Sequence, residues 1–333
     1  MSKGPAQTGE ERLIATYFAP LARHPGGLGL LDDAALLTPP PGSDLVLTKD
    51  ALVAGVHFFP EDPPGVVARK ALRVNLSDLA AKGAAPGGFL LALALPDGVK
   101  DDWLQAFAAG LGDDADAYEC PLLGGDTVRT PGPLMVSITA VGFVPEGKMV
   151  QRRGARSGDR VIVTGTIGDA ALGLLLLGEA DAARRWKLDA EMRAHLVDRY
   201  LLPQPRNILA TLMQTEASAA MDVSDGLAGD LGKLCRASNV SAEIDVARVP
   251  LSDAAKTALS VESTLIETAL AGGDDYEILC TVPPVQVDTF ITGAEALGVC
   301  ATDIGQIVAG EGEARFLRDG KPLSLGKTSF SHF

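Results

Sequence analysis

The sequence predicts an α/β chain of layered α+β character, divided into two domains. Helical and extended hydrophobic periods alternate through both halves, a glycine- and arginine-rich stretch interrupts them near the middle, and 333 residues suffice for two cores. The interruption runs from Pro145 to Gly158, where Gly147, Gly154 and Gly158 alternate with Arg152, Arg153 and Arg156. We place the boundary there, giving domains of residues 1–150 and 151–333.

In the first half, residues 9–23 read as a helix with Leu13, Ile14, Tyr17 and Phe18 on one face. After Gly26-Gly-Leu-Gly29, Leu30–Leu37 is expected to be a short strand containing the paired Asp32 and Asp33. A proline-glycine turn at 39–42 precedes a strand at Leu45–Thr48. Val66–Ala81 carries apolar residues at helical spacing, and Asp78 lies among Val74, Leu76, Leu79, Ala80 and Ala81. A strand at Gly88–Leu95, a helix at Asp101–Tyr118 broken around Gly110 and Gly112, and strands at Leu122–Thr127 and Leu134–Val144 follow.

The second half opens with a strand at Arg160–Gly165 and a helix at Asp169–Leu177, then helices at 189–201 and 205–215. The strand Ala219–Val223 runs straight into Ser224-Asp-Gly-Leu227 and a helix. Gly272-Gly-Asp-Asp-Tyr-Glu277 opens a strand at Ile278–Val282, and a helix at Pro284–Leu297 precedes closing strands.

The charge balance, 29 − 43 = −14, argues against nucleic acid or an anionic membrane surface as the main partner. It leaves nucleotides open where metal ions mediate the contact. The longest apolar runs, Phe89–Leu95 and Ala170–Leu177, are too short to cross a bilayer. Met1–Glu10 lacks the apolar core of a signal peptide, so a cytoplasmic location is expected. The four cysteines are scattered, which predicts reduced core thiols and not a zinc site.

Three attractive motifs fail. Gly320–Thr328 has five residues between its glycines where a phosphate-binding P-loop needs four. Gly110-Leu-Gly-Asp-Asp-Ala115 follows a helix instead of a strand, and Asp113–Asp116 lacks the spacing of a calcium loop. The four histidines sit in unrelated contexts; His57 is kept as a possible substrate contact.

The acidic turns remain. Asp32-Asp33, Asp50, Asp78, Asp126, Asp222 with Asp225, and Asp274-Asp275 mostly stand at strand ends or beside glycines. One such residue is ordinarily a turn or cap; their repetition suggests carboxylates gathered where strands end. Hard oxygen donors suit Mg²⁺, which joins one or two carboxylates to substrate phosphates. With Arg152 and glycine turns beside them, the chemistry indicated is metal-assisted phosphoryl transfer.

Eight motifs occur in one order: Asp32–Leu36, Thr48–Phe58, Asn75–Ala84, Gly124–Thr127, Thr164–Asp169, Asp222–Leu227, Gly272–Glu277 and Phe330–Phe333. This set resembles the thiamine-monophosphate kinases, a branch of the aminoimidazole-ribonucleotide-synthetase-like superfamily, along essentially the whole chain. The resemblance implies the two-domain fold of that superfamily, transfer of the γ-phosphoryl of ATP to thiamine monophosphate, several Mg²⁺ ions, and a homodimer paired through N-terminal domains. It implies metal ligands at Asp33, Thr48, Lys49, Asp50, Asp78, Asp126, Asp222 and Asp225, with Asp78, Asp126 and Asp225 central to catalysis. Gly125, Asp126, Arg152 and Ser224 would line the ATP site, and His57, Asp274 and Phe330 would meet thiamine monophosphate.

Three positions depart from the family pattern: Leu31 where glycine usually precedes the paired aspartates, Lys49 where Ser or Thr is usual, and Asp274 where Glu is usual. Lys49 has to ligate through its backbone oxygen if at all. Selenophosphate synthetase, a sister enzyme, is disfavoured because no cysteine precedes Cys120. A non-catalytic nucleotide- or metal-binding protein is the rival from another class, and turnover of ATP with thiamine monophosphate separates the two.

Overall fold

The computed structural model describes residues 9–329 and resolves them into two compact units. The first comprises the chain to Leu79 together with Ala85–Glu146; the second comprises Ala80–Ala84 and Gly147 onward.

The first unit is built on a four-stranded sheet of order β1-β4-β2-β3, with β1 Ser43–Val53, β2 Ala85–Leu95, β3 Leu122–Arg129 and β4 Met135–Pro145. Only β2 and β3 run parallel. Strand alternation turns Val46, Leu52, Phe89, Leu91, Leu93, Val136 and Ile138 to one buried face. Helices α1 (Gly9–Leu13), α2 (Pro64–Ala81) and α3 (Asp101–Ala117) belong to this unit, apart from the last two residues of α2.

The helix expected over 9–23 widens into a π turn at Ile14–Phe18 and then tightens into a 3₁₀ turn at Ala19–Leu21, where Pro20 has no amide to donate. The strand expected at Leu30–Leu37 is absent. Pro25–Leu30 winds as 3₁₀ turns, Leu28 and Leu30 take left-handed backbone angles, and residues 31–37 join no ladder among the described residues. The break expected in α3 at Gly110 is also absent. A methyl on Gly110 would lie 2.4 Å from the Gly65 oxygen, so this glycine lets α3 approach α2 closely.

The second unit holds a seven-stranded sheet of order β11-β10-β7-β9-β5-β8-β6. Its strands are β5 Arg160–Thr164, β6 Ala219–Asp222, β7 Ser241–Asp245, β8 Ile278–Val282, β9 Ala301–Val308, β10 Ala314–Arg318 and β11 Lys321–Pro322. Its helices are α4 Asp169–Gly178, α5 Ala182–Arg185, α6 Ala190–Leu201, α7 Ala210–Glu216, α8 Leu227–Ser238, α9 Asp253–Val261, α10 Leu265–Ala271 and α11 Val287–Ala296. One core joins Val161, Val163, Met221, Leu231, Ile244 and Leu279; another gathers Ile162, Met213, Cys280 and Phe290.

Candidate active site

In the first unit, two donors come from β1 and one from α2. Thr48 and Asp50 share one face of β1 by alternation, and the Thr48 hydroxyl donates to Asp78 Oδ2 from the last turns of α2. Asn75, one helical turn before Asp78, is fully buried and accepts the Asp50 amide at 3.1 Å while donating to the Ala71 carbonyl at 3.0 Å. Asn75 stands in the motif quoted above but was assigned no role; its spacing from Asp78 was the available signal.

Lys49 points to the other face, where its Nζ donates to Ser137 Oγ at 2.7 Å and Ser137 Oγ donates to the Asp50 carbonyl at 3.0 Å. An ammonium has no lone pair to give a cation, so only its backbone oxygen remains for ligation. Asp126 is exposed and shares that outer face. The register Ala51–Ser137–Ala92–Asp126 runs across all four strands, which separates Asp126 from β1 by three strand spacings, ~14 Å. Gly125 lies in the neighbouring row, where a methyl would fall 1.9 Å from the Leu91 oxygen.

Asp33 is exposed in the loop before β1, its amide donating to Asp32 Oδ1 at 2.8 Å. His57 follows β1; its Nδ1 accepts the Val53 amide at 3.0 Å, which places the proton of the neutral ring on Nε2.

The second unit brings two motifs together through backbone bonds. Asp222 ends β6 and is 5% exposed, and the turn Ser224-Asp225 follows. The Asp274 amide donates to the Ser224 carbonyl at 2.9 Å, the Tyr276 amide to the Val223 carbonyl at 2.8 Å, and the Val223 amide to the Glu277 carbonyl at 2.8 Å. This clamp holds Asp274 (φ 73) and Tyr276 (φ 50) in left-handed conformations. Arg152 is exposed in a bend, where its carbonyl accepts Ser238 Oγ at 3.3 Å. Its neighbours Gln151 and Arg153 line a cleft of about 560 Å³ with Lys148 and Arg156. Phe330 lies outside the described residues.

Buried charge behind these motifs was missed in the sequence. Glu277 is fully buried and accepts from Arg199 Nη2 at 2.8 Å, Arg206 Nε at 2.7 Å and Thr164 Oγ1 at 2.7 Å. Asp275 accepts the Gly168 amide at 2.7 Å at the start of α4, and burial pushes its carboxyl well above the usual range. Asp169 is also buried. Burial alone would raise its carboxyl, but hydrogen bonds from His195, Ser252 and Thr166 outweigh that and hold it low. The same contact raises His195.

Among the described residues, no three His, Cys, Asp or Glu side chains are gathered closely enough to hold a metal by themselves. The donor chemistry nevertheless fits Mg²⁺: Thr48, Asp50, Asp78, Asp222 and Asp225 present hard oxygens, and that ion needs only one or two carboxylates beside water and phosphate.

The family models for AIR synthase related proteins match twice, the N-terminal domain at residues 31–144 and the C-terminal domain at residues 156–318. A thiamine-monophosphate kinase from Caulobacter vibrioides (strain ATCC 19089 / CIP 103742 / CB 15) is 46% identical over 94% of this chain and 88% of its own. The chain belongs to the thiamine-monophosphate kinase family. Two solved structures place this family member among its relatives. The thiamine-monophosphate kinase from Stenotrophomonas maltophilia K279a is 40% identical with a TM-score of 0.81, covering 94% of this chain and 96% of the other. AaThiL complexed with AMPPCP and TMP is 33% identical with a TM-score of 0.76, covering 91% of each chain. No helix among the described residues is long and apolar enough to cross a membrane.

Proposed function

We propose that this protein transfers the γ-phosphoryl group of ATP to thiamine monophosphate, yielding thiamine diphosphate and ADP. The observation that carries this reading is the clamp that joins Asp222–Asp225 to Asp274, which sets acidic groups on a rigid mount in a chain closely similar to AaThiL. AMPPCP is ATP with a methylene in place of the β,γ-bridging oxygen, and TMP is taken as the thiamine monophosphate of the family's name. The acceptor is already a phosphate and needs little help from a base. The chief obstacle is repulsion between polyanions.

Thr48, Asp50 and Asp78 in the first unit, and Asp222 and Asp225 in the second, would hold Mg²⁺; Asp33, Asp126 and the Lys49 carbonyl complete the proposed ligand set. When bound, such ions neutralise phosphate charge and align the reacting oxygens. Asn75 orients Asp50, the Ser224 turn and Gly125 offer backbone contacts to ATP, and Arg152 reaches its phosphates. His57, Asp274 and Phe330 would face thiamine monophosphate. A mixture of protein, ATP, Mg²⁺ and thiamine monophosphate should form thiamine diphosphate. Product from free thiamine but none from the monophosphate would overturn the assignment.

A homodimer in the cytoplasm completes the proposal. The outer face of the first sheet exposes Leu47 (66%), Val128 (49%), Leu45 (46%) and Leu90 (41%), which strand register places on one side. These apolar positions share the face with Lys49 and Asp126 and suit burial against a second copy. Light scattering that returns only the monomer mass would refute it.

A further inference from the structure

The turn that carries Ser224 and Asp225 is built around a residue pair that the proposed reaction does not yet use. Asp230, in the first turn of α8, is fully buried. Its Oδ2 accepts the Ser224 amide at 3.0 Å and the Asp225 amide at 2.9 Å, which fixes the turn from below. Its Oδ1 accepts Lys233 Nζ at 2.8 Å, and the same ammonium donates to Asp225 Oδ2. One cation thus bridges a carboxylate that is sealed in the core and one that faces outward.

Exposure separates the two contacts. The side chains of Lys233 and Asp225 are 32% and 38% accessible, whereas that of Asp230 is 0%. The outer contact is open to competition from solution; the inner one is not. We propose that Lys233 is a positioning residue that occupies Asp225 as a resident counter-ion and yields it to an arriving divalent cation, while remaining anchored to Asp230. The inference rests on reading Asp225 as a metal ligand.

Asp222, Asp225 and Asp230 lie within nine residues of one another, so a bare turn would carry concentrated negative charge. Lys233 balances that charge between turnovers and returns when the ion leaves with product. A doubly charged hard cation displaces an ammonium from a carboxylate, but the lost ion pair lowers its net affinity. Divalent ions should therefore be held weakly until substrate phosphates add their own oxygens. Such a site loads the metal together with the nucleotide.

The test is a Mn²⁺ titration without nucleotide, following the spectroscopic signal of free Mn²⁺, on folded protein verified by circular dichroism. Lys233→Met should bind Mn²⁺ ~1.5- to 5-fold more tightly, the range that losing a partly exposed ion pair allows. Asp225→Asn should bind it more weakly, and the gain from Lys233→Met should vanish in the Asp225→Asn background. Lys233→Arg, whose planar fork grips both carboxylates more firmly, should bind it more weakly than the native protein. A weakened Asp225→Asn alongside an unimproved Lys233→Met, or a tightened Lys233→Arg, overturns the role of Lys233. An unaffected Asp225→Asn overturns the reading of Asp225 itself.

Discussion

Glu277→Gln removes one charge and almost no volume, and its cost can be worked out atom by atom. In the native protein Oε1 accepts from Arg199 and from Arg206 Nη2, and Oε2 accepts from Arg206 Nε and Thr164 Oγ1. A glutamine has one acceptor oxygen, so either orientation turns an NH₂ group toward a guanidinium. Thr164 cannot absorb the change freely, because its hydroxyl oxygen already accepts the Ile278 amide at 2.8 Å. The guanidiniums of Arg199 and Arg206 are left with 8% and 22% accessible side chains and no countercharge from residue 277. Breaking a buried ion pair from one side costs ~3–5 kcal/mol. For a unit of this size that corresponds to a fall in melting temperature of ~6–20 °C. Calorimetry of the purified variant measures it, and the strand β8 that Glu277 introduces should be among the regions losing amide protection. A loss below ~1 kcal/mol, on the scale of a surface pair, would show that the two arginines find other partners and would refute the reasoning.

Asp78→Asn should reduce kcat by ~10²-fold or more, the scale of losing one transition-state electrostatic contact, while the melting temperature holds; an active, folded variant would leave Asp78 only a structural acceptor for Thr48 between α2 and β1. The His195–Asp169 contact should make stability depend on pH in both directions. The raised His195 contributes fully below its unfolded value of ~6.5 and loses that contribution as pH rises through the folded value; the lowered Asp169 contributes above ~3.9 and fades as pH falls through its folded value. His195→Gln should therefore be penalised most between those limits, and melting curves showing an equal penalty at pH 5.5 and pH 9 would contradict this. Arg152→Lys should raise the KM for ATP more than that for thiamine monophosphate, since an ammonium cannot reproduce the planar fork; unchanged kinetics would leave Arg152 a solvated surface residue.

Much of the fold was legible because it depends on local pattern. The periodicity of Val66–Ala81 and the alternation of Leu134–Val144 mark α2 and β4 to within a few residues. The failures came where distant contacts decide. Nothing adjacent to Gly110 says that Gly65 packs against it, so a glycine that enables helix contact reads as a helix break. Leu30–Leu37 is apolar enough for a strand but finds no ladder partner among the described residues. The stretch Ser241–Ala271, which forms β7, α9 and α10, offered no motif and received no reading. The candidate site divides in the same way. Its carboxylates are visible as motifs, but the groups that hold them come from afar: Glu277 meets Thr164, Arg199 and Arg206 across 71 to 113 residues. Asp230 and Lys233 were within reach, because an acid and a base three apart at the start of a helix form a recognisable pair.

The left-handed backbone at Asp274 explains an exception in the sequence. The resemblance noted above leads one to expect glutamate where this chain has aspartate. At φ 73 a side chain crowds its own carbonyl, and the short carboxylate of aspartate tolerates that geometry better than longer chains do. Because the loop is fastened through the Asp274 amide to the Ser224 carbonyl, its shape does not depend on which acid stands there. The position behaves as a socket with an exchangeable tip: in the role proposed for Asp274, one methylene would alter reach toward the substrate and local strain, in opposite senses, and leave the mount unchanged. A change of acid at this one residue would then trade conformational ease against reach without rebuilding anything beneath it.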